Sequence, residues 1–125
     1  MVKRMPTICG DDTCASCVVA GDFIFLAHHA GGHDKLDVEH QMRASFEGLK
    51  STLNSVGATL NDMVQINLYL KTTDDFSKAR DIFNEYFDKD AFPARMTTTT
   101  DFIGEGCLCM LDGVAYKQAS AQIAD

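Results

Sequence analysis

No apolar run in the chain reaches the roughly 18 residues that a membrane-crossing helix needs, so no segment reads as a span. No apolar stretch follows the basic start, Met1-Val2-Lys3-Arg4-Met5-Pro6, and a secretory signal is not expected. Positive charge is also scarce. Eleven Lys and Arg stand against 18 Asp and Glu, giving a net charge of −7, whereas a protein that tracks a phosphate backbone needs a basic face. Nucleic acid is therefore not an expected partner, and neither is a membrane. The chain lacks a Ser/His/Asp order, a glycine-rich phosphate loop and a His-Glu-x-x-His motif. It also shows no internal repeat, low-complexity tract or linker. The five cysteines are an odd number. Without an export signal, reduced thiols in a cytoplasmic protein are the expectation.

What is present suffices for one domain over residues 1–125, because 46% of the 125 residues are hydrophobic and a core of that size needs no staples. Residues 1–16 carry little periodicity. Cys17-Val18-Val19-Ala20 and Phe23 to Ala27 flank Gly21-Asp22 and read as a hairpin; the glycine-rich run His28 to His33 then reads as a loop. Val38, Met42, Ser45, Phe46, Leu49, Leu53 and Val56 recur at helical spacing, predicting a helix over 37–56 with Gly57 as its terminal cap. Met63 to Leu70 alternates, with Val64, Ile66, Leu68 and Leu70 on one face and Gln65, Asn67 and Tyr69 on the other. Thr72 and Thr73 offer caps for a second helix with Asp74 and Asp75 in its first turn, and Phe76, Ala79, Ile82, Phe83 and Tyr86 form its buried face. Pro93 ends that region. Arg95 to Thr100 reads as a strand, Gly104-Glu105-Gly106 as a turn, and Cys107 to Tyr116 as a final strand, apolar on both faces and therefore central. The order β-β-α-β-α-β-β predicts an α+β fold with two helices on one face of a mixed sheet. Such a sheet often buries its other face by oligomerising.

Arg95 is the first candidate for chemistry. A guanidinium is always charged and its planar fork of donors suits a carboxylate or phosphate. Strand geometry puts Arg95, Thr97 and Thr99 on one face, so Arg95 with the Thr97 hydroxyl suits a small anion; a surface ion pair is the competing reading. Cys14-x-x-Cys17 and Cys107-x-Cys109, with His28, His29 and His33, have a superficial likeness to zinc half-sites. Small buried core thiols are the preferred reading, and neither metal nor cofactor is expected. The pair His28-His29, at a strand end beside the loop, offers a candidate base, with a solvated loop as the preferred reading.

Taken in order, several short pieces resemble the RidA (YjgF) family of reactive-intermediate deaminases. They are Gly21-Asp22-Phe23-Ile24-Phe25, Gln41 with Leu49 and Leu53, Gly57, Asp62-Met63-Val64, and Leu68-Tyr69-Leu70. Asp75-Phe76, Phe83, Tyr86-Phe87, Phe92-Pro93-Ala94-Arg95 and Leu111-Asp112-Gly113-Val114-Ala115 complete the series. The resemblance runs from about Val18 to Tyr116, with a shorter loop at 30–36. It implies a chorismate-mutase-like fold, a homotrimer with clefts between subunits, and hydrolysis of enamines or imines to 2-oxo acids and ammonia. Arg95 matches the family arginine that binds the substrate carboxylate, and Thr97 matches a small residue lining the same cleft.

The departures concern the chemistry. The family glutamate that positions the hydrolytic water falls at Met110, which cannot take a proton or orient water as a carboxylate does. Asp112, on the same strand face, is a candidate substitute. The family Ser-Gly-Gln is Ala27-His28-His29 here, its N-terminal tyrosine falls near Cys14, and two helix asparagines fall at Arg80 and Gly48. The resemblance thus assigns Arg95, Thr97, Arg80, Ala27, Met110 and Cys14 to substrate binding and leaves His28 and Asp112 as catalytic candidates. If Arg80 joins Arg95, the cleft gains positive charge and favours a dicarboxylate or phosphorylated metabolite. That expectation requires Arg80 not to pair with Glu39 or Asp81. Three functions stay open: a deaminase of altered or lost activity and a non-catalytic trimer that binds or senses a small anion, which are close, and a hydrolase or lyase of altered chemistry on the same cleft.

Overall fold

A computed structural model describes residues 2–118. Six strands and two α-helices follow in the order β1 (Val2–Arg4), β2 (Cys17–Ala20), β3 (Phe23–His29), α1 (Val38–Asn54), β4 (Met63–Leu70), α2 (Phe76–Tyr86), β5 (Ala94–Thr99) and β6 (Cys109–Tyr116). The strands form one mixed sheet in the order β1-β2-β3-β6-β4-β5. Only β4 and β5 run parallel; every other neighbouring pair is antiparallel. The α+β expectation holds, and β6 lies centrally as its composition predicts. β1 is an addition. Its three residues are all exposed, so burial left no periodicity to read, and pairing with β2 alone holds it in the sheet.

Both helices lie on one face. Ile24, Leu26, Ile66, Leu68, Leu70, Cys109 and Leu111 point into that layer and meet Met42, Phe46, Leu49, Leu53, Ala79, Ile82 and Phe83 from the helices. Phe46 is the aromatic centre, edge-on to Phe83 at 5.1 Å and stacked on Tyr86 at 4.5 Å. Asp37 caps α1 by accepting from the Glu39 N–H at 3.0 Å. At the other end Gly57 takes φ 78°, and the Ala58 N–H returns to the Leu53 carbonyl at 3.0 Å. This is the left-handed cap that glycine tolerates best. Asp37 and Ser55 are thus the caps, and Asp37, Ser55 and Val56 lie outside the helix. Before α2 a 3-10 turn holds Thr73–Asp75, with the Thr72 hydroxyl accepting from the Asp74 N–H.

Two bulges correct the simple alternation. In β4, Met63 pairs with Ala115 and Gln65 with Val114, so Val64 is the extra residue. It turns outward, 48% exposed, and does not join Ile66, Leu68 and Leu70. In β3, Leu26 pairs with Gly113 and His29 with Leu111, leaving Ala27 and His28 both opposite Asp112. A bulge re-aims side chains in this way. Both bulges flank Gly113, where an added Cβ would stand 2.1 Å from the Gln65 carbonyl oxygen. Only glycine lets β4 approach β6 so closely.

Among the described residues no helix covers the sheet's other face. Phe23, Phe25, Met96 and Tyr116 are each at least 40% exposed there. Among the described residues no helix is long and apolar enough to cross a membrane.

Candidate functional site

Arg95 lies opposite Ile66 in the parallel pair, and Thr97 and Thr99 lie opposite Leu68 and Leu70. All three therefore share the helix-side face at the sheet's edge, as strand geometry predicts. The guanidinium sits 5.1 Å from the Phe83 ring centroid and 5.7 Å from that of Phe76, within cation–π range. None of the described ion pairs or side-chain hydrogen bonds involves Arg95. Its fork is held by two aromatic rings, and none of its donors is taken by a described residue. The groove around it, of about 480 Å³, is lined by Arg80, Phe83, Asn84, Phe92, Pro93 and Arg95. Asn84, one turn beyond Arg80 on α2, escaped the sequence reading because nothing in its spacing marks it.

Arg80 reaches the groove and rests 5.6 Å from the Phe76 ring centroid. It also pairs with Asp81 at 3.2 Å, with both side chains half exposed or more. That pairing is the arrangement under which the extra positive charge is offset, so the preference for a doubly charged anion fails.

On the opposite face lies a cavity of about 580 Å³, walled among others by Cys9, His28, His33, Tyr69, Met110 and Asp112. The Asp112 carboxylate accepts from Asn67 Nδ2 at 2.7 Å and from the Tyr69 hydroxyl at 3.0 Å. Asn67 faces it directly across the β4–β6 pair and Tyr69 is the diagonal neighbour, the two cross-strand positions within reach. Burial, and then the bond to Asp112, raise the Tyr69 phenol above its ordinary pKa. Met110 and Asp112 share this face, as alternation requires, and the β3 bulge brings Ala27 and His28 to it. His28 lines the cavity, whereas His29 points into the core. The sequence marked Asn67 and Tyr69 only as the polar side of β4; their partnership with Asp112 depends on register.

Gln41 shapes this cavity from behind. Fully buried, it donates to the Lys35 and Gly106 carbonyls at 2.9 and 2.8 Å and accepts from the Leu108 N–H at 2.8 Å. One amide thus ties the loops on either side of the cavity to α1. Of the remaining candidates, Cys107 lines this cavity beside Cys9, and Cys14 and Gly48 do not line it. Cys14 is exposed in the loop after β1, and Cys17, Cys107 and Cys109 are buried. Burial raises the pKa of all three buried thiols, that of Cys109 to about 12. Gly48 packs near the His29 ring inside the structure and is not at either groove.

Within one chain, then, the arginine groove and the Asp112 cavity lie on opposite faces of the sheet, separated by β4. The layout, a six-stranded mixed sheet with two helices on one face, is that of the chorismate-mutase-like α+β proteins. The family model described as Endoribonuclease L-PSP matches residues 14–115, and the chain belongs to the RidA (YjgF) family. A RutC family protein of Pyrococcus abyssi is 31% identical over 110 residues, covering 83% of this chain and 86% of the relative. A 2-iminobutanoate/2-iminopropanoate deaminase of Dermatophagoides farinae is 24% identical over 89 residues, covering 66% of this chain and 69% of that one. Among solved structures, a yjgF-family protein of Streptococcus pyogenes superposes with a TM-score of 0.84 at 28% identity, covering 94% and 97% of the two chains.

Proposed function

We propose that this chain binds a small carboxylate-bearing metabolite, with Arg95 as the clamp, in a cleft between subunits of a homotrimer. Hydrolysis of a 2-imino or enamino acid in that cleft is altered or lost. The observation that carries the reading is the unspent Arg95 fork. In a chain of net charge −7, a guanidinium with no carboxylate partner among the described residues, set on Phe76 and Phe83, is matched to an outside anion. Because Asp81 offsets Arg80, a monocarboxylate fits better than a dicarboxylate. Thr97, on the same face, adds a hydroxyl.

The inter-subunit cleft is supported by topology. A ligand that touched both Arg95 and the cavity of His28, Met110 and Asp112 within one chain would have to pass through the sheet. Two copies, one giving its arginine edge and the other the face away from its helices, remove that obstacle, and the exposed Phe23, Phe25 and Met96 are apolar area for such contact.

Imine hydrolysis needs water to add to the C=N carbon, a group to take the water's proton and a proton for the departing nitrogen. Met110 supplies none of these. Asp112 already accepts from two donors, and His28 and His33 are the imidazoles that line the cavity beside it. The same substitution favours the second reading, a non-catalytic trimer that binds or senses a small anion. The matched family model's description names a ribonuclease, but the acidic chain disfavours a phosphate backbone.

Generating 2-aminoacrylate from serine with a dehydratase and timing pyruvate release tests the proposal. Weak or no acceleration is expected from the wild-type chain. Met110→Glu is expected to raise it by on the order of 10²-fold, the lower range for a positioned acid or base. Small monocarboxylates should shift the melting temperature of the wild type but not of Arg95→Ala. A carboxylate shift unchanged by Arg95→Ala would refute the clamp.

A further inference from the structure

We propose that Cys9 and Cys14 form a reversible oxidation site, closing into an intramolecular disulfide when the protein meets a hydroperoxide. Of the five cysteines, these two are exposed and the other three are buried. The chain between them bends through a turn from Gly10 to Thr13. Gly10 takes φ 83°, with open space where a Cβ would stand. Asp11 Oδ1 accepts from the Thr13 N–H at 2.9 Å, closing a turn. The Cys14 thiol folds back toward the Asp11 carbonyl at 3.8 Å. The Cys9 sulfur lies 3.2 Å from the Thr7 hydroxyl, and the Cys14 side chain is the last of the groups that lower its pKa. A resolving thiol beside an accessible one is the usual build of a redox-active pair.

The local bonding suits Cys9 to be the attacking sulfur. The Thr7 hydroxyl first, and then the Asp11 backbone, lower its pKa, and the thiolate is the nucleophile. The Cys9 thiolate attacks the distal peroxide oxygen, the O–O bond breaks, and the alkoxide or hydroxide leaves and takes up a proton. Cys9 is then a sulfenic acid. The Cys14 thiolate attacks that sulfur, the S–S bond forms, and hydroxide leaves and is protonated to water. Two thiols lose two electrons in all, and the hydroperoxide is reduced to water or an alcohol. An added thiol reverses the bond by exchange.

Location gives the bond a consequence. Cys9 walls the same cavity as His28, Met110 and Asp112, so tying it to Cys14 moves one edge of that cavity. This inference does not depend on the carboxylate reading, and its test reads the bond itself.

The full chain is treated briefly with hydrogen peroxide, alkylated, and cleaved before aspartate, which separates Cys9 from Cys14 at Asp11 and Asp12. The thiol count of the denatured protein should fall from the five free cysteines to three, with a linked Cys9–Cys14 peptide pair that dithiothreitol releases. In Cys14→Ser, Cys9 should accumulate as a sulfenic acid trapped by dimedone; in Cys9→Ser, Cys14 should remain a thiol. Both side chains are exposed, so neither serine disturbs the core. A bond between other cysteines, a bond between two chains, or unreacted Cys9 would overturn the proposal.

Discussion

Arg95 and Asp112 sit on the strands either side of β4, and their charges are handled in opposite ways. Asp112 faces the side of the sheet away from the helices and accepts from both Asn67 and Tyr69. Arg95 faces the helix side, held over two rings with no acceptor among the described residues. A charge satisfied inside the fold contributes to the fold, whereas one left unsatisfied contributes to whatever arrives from outside. The two residues should therefore separate cleanly when removed.

The largest effect is expected where the two halves of the sheet are joined. Gly113→Ala would push its Cβ against the Gln65 carbonyl and the Met63 side chain. Backbone cannot yield as a side-chain tip does, so a loss of about 3 kcal/mol is expected, at the top of the overpacking range. Urea unfolding measures it; a loss below about 1 kcal/mol would mean that β4 is not held to β6 in this register. Next, Arg95→Ala should weaken carboxylate binding by about 2 kcal/mol, roughly 30-fold, the scale of a charge-assisted pair. Its cost to stability should be below about 1 kcal/mol, since an exposed cation–π contact is all the fold loses. Titration calorimetry and chemical unfolding on one sample read both. Asp112→Ala should show the reverse, about 1–2 kcal/mol less stable through the stranded Asn67 and Tyr69 donors. Equal stability losses in the two variants would collapse the comparison.

The sequence carried the order of the elements well, because burial of one sheet face and one stripe of each helix prints a period on the residues. It carried β1 poorly because an exposed edge strand prints none. Val64 shows a subtler failure. The run Met63 to Leu70 alternates in polarity as a regular strand would, and the bulge that turns Val64 outward is imposed from the partner strand, where Gly113 admits the close approach. The site divides in the same way. The face shared by Arg95 and Thr97 followed from strand geometry, and the Arg80–Asp81 pair from adjacency. That Arg95 and Asp112 face away from each other depends on register across β4, where Arg95 pairs with Ile66 and Asp112 with its neighbour Asn67, and no local pattern records it. The Phe76 and Phe83 rings beneath Arg95 were legible only as a buried helix face.

His28 and His29 repeat the contrast between the faces at adjacent positions, and give the smallest predicted effect. His28 opens onto the cavity. His29 is buried, donating from Nδ1 to the Ala27 carbonyl at 2.7 Å and accepting at Nε2 from the Thr52 hydroxyl at 2.8 Å, a neutral ring with both nitrogens used. Burial lowers its pKa below the ordinary 6.5; the Ala27 bond and the Asp112 charge oppose that shift, and the His28 charge adds to it. Above pH 6.5 the ring is neutral in both folded and unfolded chains, and its environment is fully stabilising. As pH falls below 6.5 the unfolded chain takes up the proton first, so stability drops until the folded ring is protonated as well. One such group contributes at most about 1.4 kcal/mol per pH unit. Unfolding free energies of wild type and His29→Gln across that range should therefore converge as the solution is acidified. Curves that stay parallel would show that the core ring keeps its ordinary affinity for protons, and that the bulge at Ala27 and His28 does not divide the two histidines as their burial indicates.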